Sequence, residues 1–118
     1  MTVENDLAFL WDIKTAAKDI IDFTQNIIYN DFENSKMTRY AVERQLLVIG
    51  EAAKRVSQQT KDMAPQVPWS KIIGLRNIIA HEYGEILTER VWVVAVKNVP
   101  ELYDETEKLL KTIDKEQN

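Results

Sequence analysis

The chain contains one histidine in 118 residues, and it stands five positions after an arginine and two before a tyrosine: Arg76-Asn77-Ile-Ile-Ala-His81-Glu-Tyr83. An imidazole is the side chain whose unperturbed pKa lies nearest neutrality, so His81 is equipped to take or give a proton at physiological pH. A guanidinium offers a planar fork of donors that matches a phosphate. Without a thiol or a carboxylate cluster beside them, these are parts for phosphodiester chemistry in which RNA supplies its own nucleophile. The 2′-hydroxyl attacks, His81 moves the proton, and Arg76 holds the charge that builds on the phosphorane oxygens. That chemistry calls for no metal and no cofactor. One chain carries a single histidine, however, whereas in-line cleavage benefits from both a base and an acid. A two-fold homodimer would supply the second.

Spacing by itself leaves another explanation open. A histidine in the last turn of a helix is commonly placed there because its cation suits the negative end of the dipole, and Arg76 then serves only solvation. By the same standard Tyr83 reads as a half-buried packing residue, and Trp69 and Trp92 as core or interface anchors rather than a base-stacking platform.

The element that must position these groups is a helix predicted from about Trp69 to His81, entered at Pro68 with Ser70 just inside it and stopped by Gly84. At about 100° per residue, Ile72, Leu75, Ile78 and Ile79 share one face and must turn to the core. His81 points roughly 130° from the centre of that face, with Asn77 one turn before it on the same side. Arg76 falls on the flank, about 140° from His81, with a stem long enough to swing. Tyr83 lies above Arg76 if the helix continues and in the turn beside His81 if it stops. The side opposite the core, Ile73, Gly74, Asn77 and His81, is small and partly apolar, which suggests a second contact surface.

Composition narrows the class. The length suits one domain spanning 1–118 with a core that needs no staples. Cysteine is absent, so neither a disulfide framework nor a thiolate metal site is available, and the chain fits a reducing cytoplasm. The acidic start and the lack of any long apolar run predict a soluble protein with no membrane partner. A formal net charge of −4 and a pI near 5.0 argue against the broad phosphate-binding surface of sequence-indifferent DNA binders, so RNA would be held at a local site.

Three Gly and three Pro are too few for a sheet protein's turns, and the periodicity is helical throughout. A first helix is predicted from Val3 to about Asn30, with Leu7, Leu10, Trp11, Ala17, Ile20, Ile21, Thr24, Ile27 and Ile28 in one stripe. A polar break over Asp31–Ser35 precedes a second helix capped by Thr38 and running to about Thr60, with Val42, Leu46, Ile49, Ala53 and Val56 inward. Gly50, Ala52 and Ala53 would let another helix approach closely there. Glu51 sits among them, an acidic group that ordinary helix statistics assign to solvent. After a loop over Lys61–Val67 and the central helix, Thr88 caps a fourth helix with Val91, Val94, Ala95 and Asn98 inward. Pro100 must kink or restart it. The stripe continues through Leu102, Thr106, Leu109, Leu110 and Ile113 to a polar tail, Asp114–Asn118. The predicted architecture is all-α, an antiparallel bundle of four to five helices.

The run from Gly74 to Tyr83 resembles the signature of the HepT-like toxins, a branch of the HEPN helical superfamily: an arginine, four intervening residues, a histidine, one residue, a tyrosine. Tyr40 to Ala53, Pro68-Trp69 and Thr88 to Trp92 are similar to that family as well, and the likeness covers about Arg39 to Leu102. The resemblance implies a metal-independent ribonuclease with Arg76 and His81 as the catalytic pair and Asn77 in a supporting polar role. It also implies a homodimer whose two motifs form one cleft. The family's partner is a small nucleotidyltransferase antitoxin that uses ATP to attach adenylyl groups to the motif tyrosine, which is Tyr83 here. Such an adduct would add negative charge and bulk beside the pair and exclude RNA phosphate. The competing expectations are a HEPN nucleotide- or protein-binding module that cleaves nothing, and a structural subunit of a nucleotidyltransferase complex.

Overall fold

In a computed structural model the described residues are 5–117. Val3, where the first helix was expected to open, and Asn118 of the expected tail lie outside them. Three long helices build the core: α1 (Asp6–Thr24), α3 (Lys36–Arg55) and α8 (Val99–Gln117). Between them run the short helices α2 (Tyr29–Asn34), α4 (Gln58–Asp62), α5 (Trp69–Ile73) and α6 (Leu75–His81), followed by α7 (Gly84–Val93), which a π turn over Val94–Asn98 joins to α8. No strand occurs among the described residues, and the all-α bundle is as predicted.

α1 is the middle helix. It pairs antiparallel with α3, since Asp6 reaches Ser57 just past the end of α3 while Asp19 accepts from Gln45 in its middle. It pairs antiparallel with α8, with Leu7 near Leu110 and Lys14 near Tyr103. Leu10, Ile13, Ala17 and Ile20 of α1, Val42, Leu46, Ile49 and Ala53 of α3, and Val99, Leu102, Leu109 and Ile113 of α8 are buried together. The inward residues predicted for the second helix and for the last stripe are thus the core.

Several predicted boundaries move, each for a local reason. α1 stops at Thr24 instead of Asn30: the Thr24 hydroxyl donates back to Ile20 O at 2.8 Å, and Asn26 takes a left-handed φ of 64° that asparagine tolerates. The expected polar break is the helix α2, fastened where Ile28 N donates to Asp31 Oδ2. The cap of α3 is Ser35, not Thr38; its side-chain oxygen accepts from Thr38 N at 3.2 Å. α3 ends at Arg55 instead of Thr60 because the Ser57 N–H that would have extended it donates to Asp6 Oδ1 at 3.0 Å, and Ser57 then caps α4, which takes up the expected end of that helix and the first residues of the expected loop. Thr88 is not a cap: it lies within α7 and donates to Gly84 O. Pro100 restarts the chain as a helix through the π turn, the wider register in which carbonyls ahead of a residue with no N–H find other donors. Asn98, expected inward, is exposed on that turn, and the expected polar tail is the last turn of α8.

Candidate active site

The predicted central helix is two helices. Gly74 divides them, its N–H donating to Ser70 O at 3.0 Å while its carbonyl accepts from Asn77 N at 3.0 Å. Ile72 and Leu75 are buried and Ile78 and Ile79 half-buried, so the core-facing side is the predicted one. What fixes the segment is its contact with α3. A Cβ on Gly50 would come within 3.3 Å of Ile72 O, so the small residues of α3 do admit a second backbone at close range. Trp69 anchors the entry by donating its indole N–H to Ala64 O at 3.1 Å, and the Pro68 side of the loop is tied to α8 where Gln66 donates to Glu105. That hydrogen bond, with Lys108 beside it, holds the Glu105 carboxyl below the usual carboxylate range.

This packing delivers Arg76, Asn77, His81 and Tyr83 to the surface, all four exposed. The Arg76 Nη1 donates to Glu51 Oε1 at 3.1 Å across the α3–α6 contact, with the two side chains 68% and 47% exposed. Glu51 is therefore not a merely solvated charge; it holds one edge of the guanidinium fork and leaves the other donors open. Among the described residues no hydrogen bond joins Arg76 to His81, and neither His81 nor Tyr83 has a side-chain partner. An exposed ion pair of this kind adds only about 0–1 kcal/mol to folding. The arrangement is better suited to holding a donor ready than to stabilising the chain.

The helix ends at His81, which resolves the two placements open for Tyr83. Glu82 and Tyr83 are extended and Gly84 has a φ of +63°, a conformation suited to glycine, from which α7 departs at once. Extended backbone sends alternate side chains to opposite sides, so Tyr83 is 79% exposed while Glu82 turns inward and pairs with Arg90 of α7. The half-buried packing role that spacing suggested for Tyr83 is thus corrected. Spacing also passed over Glu82, whose role is to lock the turn. Trp92 does act as an anchor, its ring 5.2 Å from Phe32 and edge-on to Tyr29 at 6.1 Å. Beyond the turn, Ile86, Val93 and Val96 leave an apolar strip exposed along α7 and the π turn.

Chemically, the site offers an exposed imidazole, a guanidinium with free donors and an accessible phenol on one stretch of chain. Among the described residues no group of three or more His, Cys, Asp or Glu side chains is placed to hold a metal ion, and no helix is long and apolar enough to cross a membrane.

The geometry can be set beside known proteins. A family model described as Ribonuclease HepT-like matches residues 13–109, which include Glu51, Arg76, His81 and Tyr83. The chain is 44% identical over 100 residues to "Putative RNase MJ1380" of Methanocaldococcus jannaschii, an alignment covering 85% of this chain and 92% of that protein. It is 34% identical over 103 residues to "Probable ribonuclease HepT" of Thermococcus cleftensis, covering 87% and 94%. No solved structure is a significant match.

Proposed function

The chain belongs to the HepT-like ribonuclease family, and from that premise we propose that it is a metal-independent endoribonuclease, the toxin component of a HEPN/nucleotidyltransferase pair of the type VII kind, acting in the cytoplasm. Arg76 and His81 are the catalytic pair. Arg76 binds the scissile phosphate through the donors that Glu51 leaves free, and His81 exchanges a proton with the 2′-hydroxyl or the leaving 5′-oxygen. Asn77, exposed on the turn before His81, lends a polar contact. The observation that carries this reading is that the motif's ionisable groups are exposed and all but unspent on the fold, with one guanidinium pre-set by a carboxylate.

A homodimer completes the site by bringing two His81 side chains to one cleft, so that one acts as base and the other as acid. The exposed strip of Ile86, Val93 and Val96 beside the motif supports a partner surface there. Tyr83 is the point of control. Its ring projects from an extended turn two residues from His81, accessible to a nucleotidyltransferase antitoxin that would transfer adenylyl groups from ATP to the phenol. The bound phosphate would then compete for the guanidinium and block RNA.

The test is RNA cleavage in excess chelator by the purified chain whose intact mass shows an unmodified Tyr83. Chelator-resistant cutting with 2′,3′-cyclic phosphate ends is expected, falling by about 10²–10⁴-fold in His81→Ala, the usual worth of a general acid–base residue. An unmodified dimer that cuts nothing would return the chain to a nucleotide- or protein-binding role.

A further inference from the structure

From Arg76 the exposed face of α3 runs on in both directions. Arg44, Glu51 and Arg55 are spaced seven and four residues apart, which places all three within about 20° of a common line on the helix, with Arg44 and Arg55 some 16 Å apart. Glu51, between them, holds the Arg76 guanidinium of α6 at 3.1 Å. Three arginines are therefore gathered along one stretch of surface, a length that a few successive phosphates of a single strand would span. Among the described residues neither Arg44 nor Arg55 takes part in an ion pair, so both are open to an anion, as are most lysines of the chain. The last-turn position explains Arg55 through the helix dipole, but Arg44 sits in the middle of α3 where that argument has no force.

This stretch borders a groove of about 290 Å³ between α1 and α3, lined by Phe9, Asp12, Arg44, Val48, Glu51 and Arg55 among others. Its wall is apolar at Phe9 and Val48, its rim is charged, and Phe9 is half-buried with its ring available from the groove side. The groove's own lining balances Arg44 and Arg55 against Asp12 and Glu51, and Arg76, held on Glu51 at its edge, adds the third positive charge on a chain of net charge −4. An anionic polymer with apolar faces between its charges is the ligand this alternation fits.

We propose that the α1–α3 groove is the track for the single-stranded RNA flanking the cut, with Arg44 and Arg55 each taking a phosphate on either side of the one at Arg76 and Phe9 contacting a base. This rests on the ribonuclease reading for the phosphate at Arg76, but not for the binding itself. Asp12 opposes it, so its removal strengthens the track.

The experiment is fluorescence anisotropy of a short, labelled, fully 2′-O-methyl RNA, which has no attacking hydroxyl, over a salt series with the full chain, run beside cleavage of the same sequence as unmodified RNA. The proteins are the unaltered chain, Arg44→Gln, Arg55→Gln, the double variant, Asp12→Asn and, as a control on α8 outside the groove, Lys108→Gln. Each arginine change is expected to raise Kd several-fold and to reduce the slope of log Kd against log salt by about 0.7, one phosphate contact. Asp12→Asn should tighten binding, and Lys108→Gln should leave binding and cutting as they were. If the unaltered chain cuts RNA while both arginine variants bind with unchanged Kd and slope, the track is wrong and the ribonuclease reading stands. If it binds but does not cut, and the variants lose binding, the ribonuclease reading falls and the track stands. Absence of binding by the unaltered chain overturns the track outright.

Discussion

Two acidic side chains meet partners near the C-terminal end of α3, and the fold treats them oppositely. Asp6 is fully buried and accepts three hydrogen bonds, from Ser57 N at 3.0 Å, Ser57 Oγ at 2.5 Å and Thr60 Oγ1 at 2.6 Å. Glu51 accepts one, from a guanidinium that stays mostly in solvent. The first carboxylate is committed: it ends α3, starts α4 and ties both to the first turn of α1, and a buried charge persists only when its oxygens are this fully satisfied. The second leaves both its own outer oxygen and most of the arginine fork unused. Of these two carboxylates, the one that holds the fold together has filled its valences, and the one beside the motif has not.

That contrast breaks cleanly if the two clusters exchange behaviours. The largest effect belongs to His81→Ala, which should abolish most of the RNA cutting while its unfolding free energy in urea stays within about 0.5 kcal/mol of the unaltered chain, since the imidazole is exposed and makes no side-chain hydrogen bond among the described residues. A loss of several kcal/mol would mean that His81 is structural. Next comes Asp6→Ala, which strands a buried amide and two hydroxyls. It should cost about 3 kcal/mol and lower the melting temperature by roughly 10 °C, while cleavage per folded molecule is retained.

How far the sequence reaches follows the same division. The core stripes of α3 and α8, the outward aim of Asn77 and His81, and the small-residue contact at Gly50 all follow from helical period and side-chain size, which act locally. The end of α3 does not, because it is set by Asp6, a residue 51 positions away that no local pattern links to Ser57. Glu51 was singled out for its neighbours, but its partner could not be read from spacing, since the α3–α6 crossing decides which arginine it meets. For Tyr83 the decisive feature was the turn: Gly84 was legible as a stop, yet the two extended residues before it, which expose the ring, were only one of two choices. Glu82 carried a signal in retrospect, as an acidic residue alternating with two exposed ones in a short extended link.

The position where the two regions depend on one another is Gly50. A branched side chain there must push Ile72 O away from 3.3 Å, moving α5 and with it α6. Gly50→Val should cost about 1–3 kcal/mol by overpacking and, unlike either earlier variant, lower stability and cutting together. Thermal melts read beside cleavage rates measure both, and a variant that melts lower but cuts normally would show that Arg76 does not rely on this contact.

The smallest effect is the sharpest test of what Glu51 does. Glu51→Gln keeps an oxygen at the same reach but removes the charge, so the hydrogen bond from Arg76 weakens and its guanidinium is held less firmly. The lost order should lower kcat by several-fold, because a donor that must be fixed during the reaction has to be fixed before it. The lost negative charge acts the other way on binding, since it no longer opposes an incoming phosphate, and KM should fall as well. Stability should change by no more than about 0.5 kcal/mol, as for other exposed pairs. A fall in both constants at unchanged stability identifies Glu51 as a residue that positions Arg76 at some expense of affinity. If instead kcat holds while only the melting point moves, Glu51 belongs with Asp6 among the carboxylates committed to the fold, and the division drawn between the two clusters fails at its nearest point.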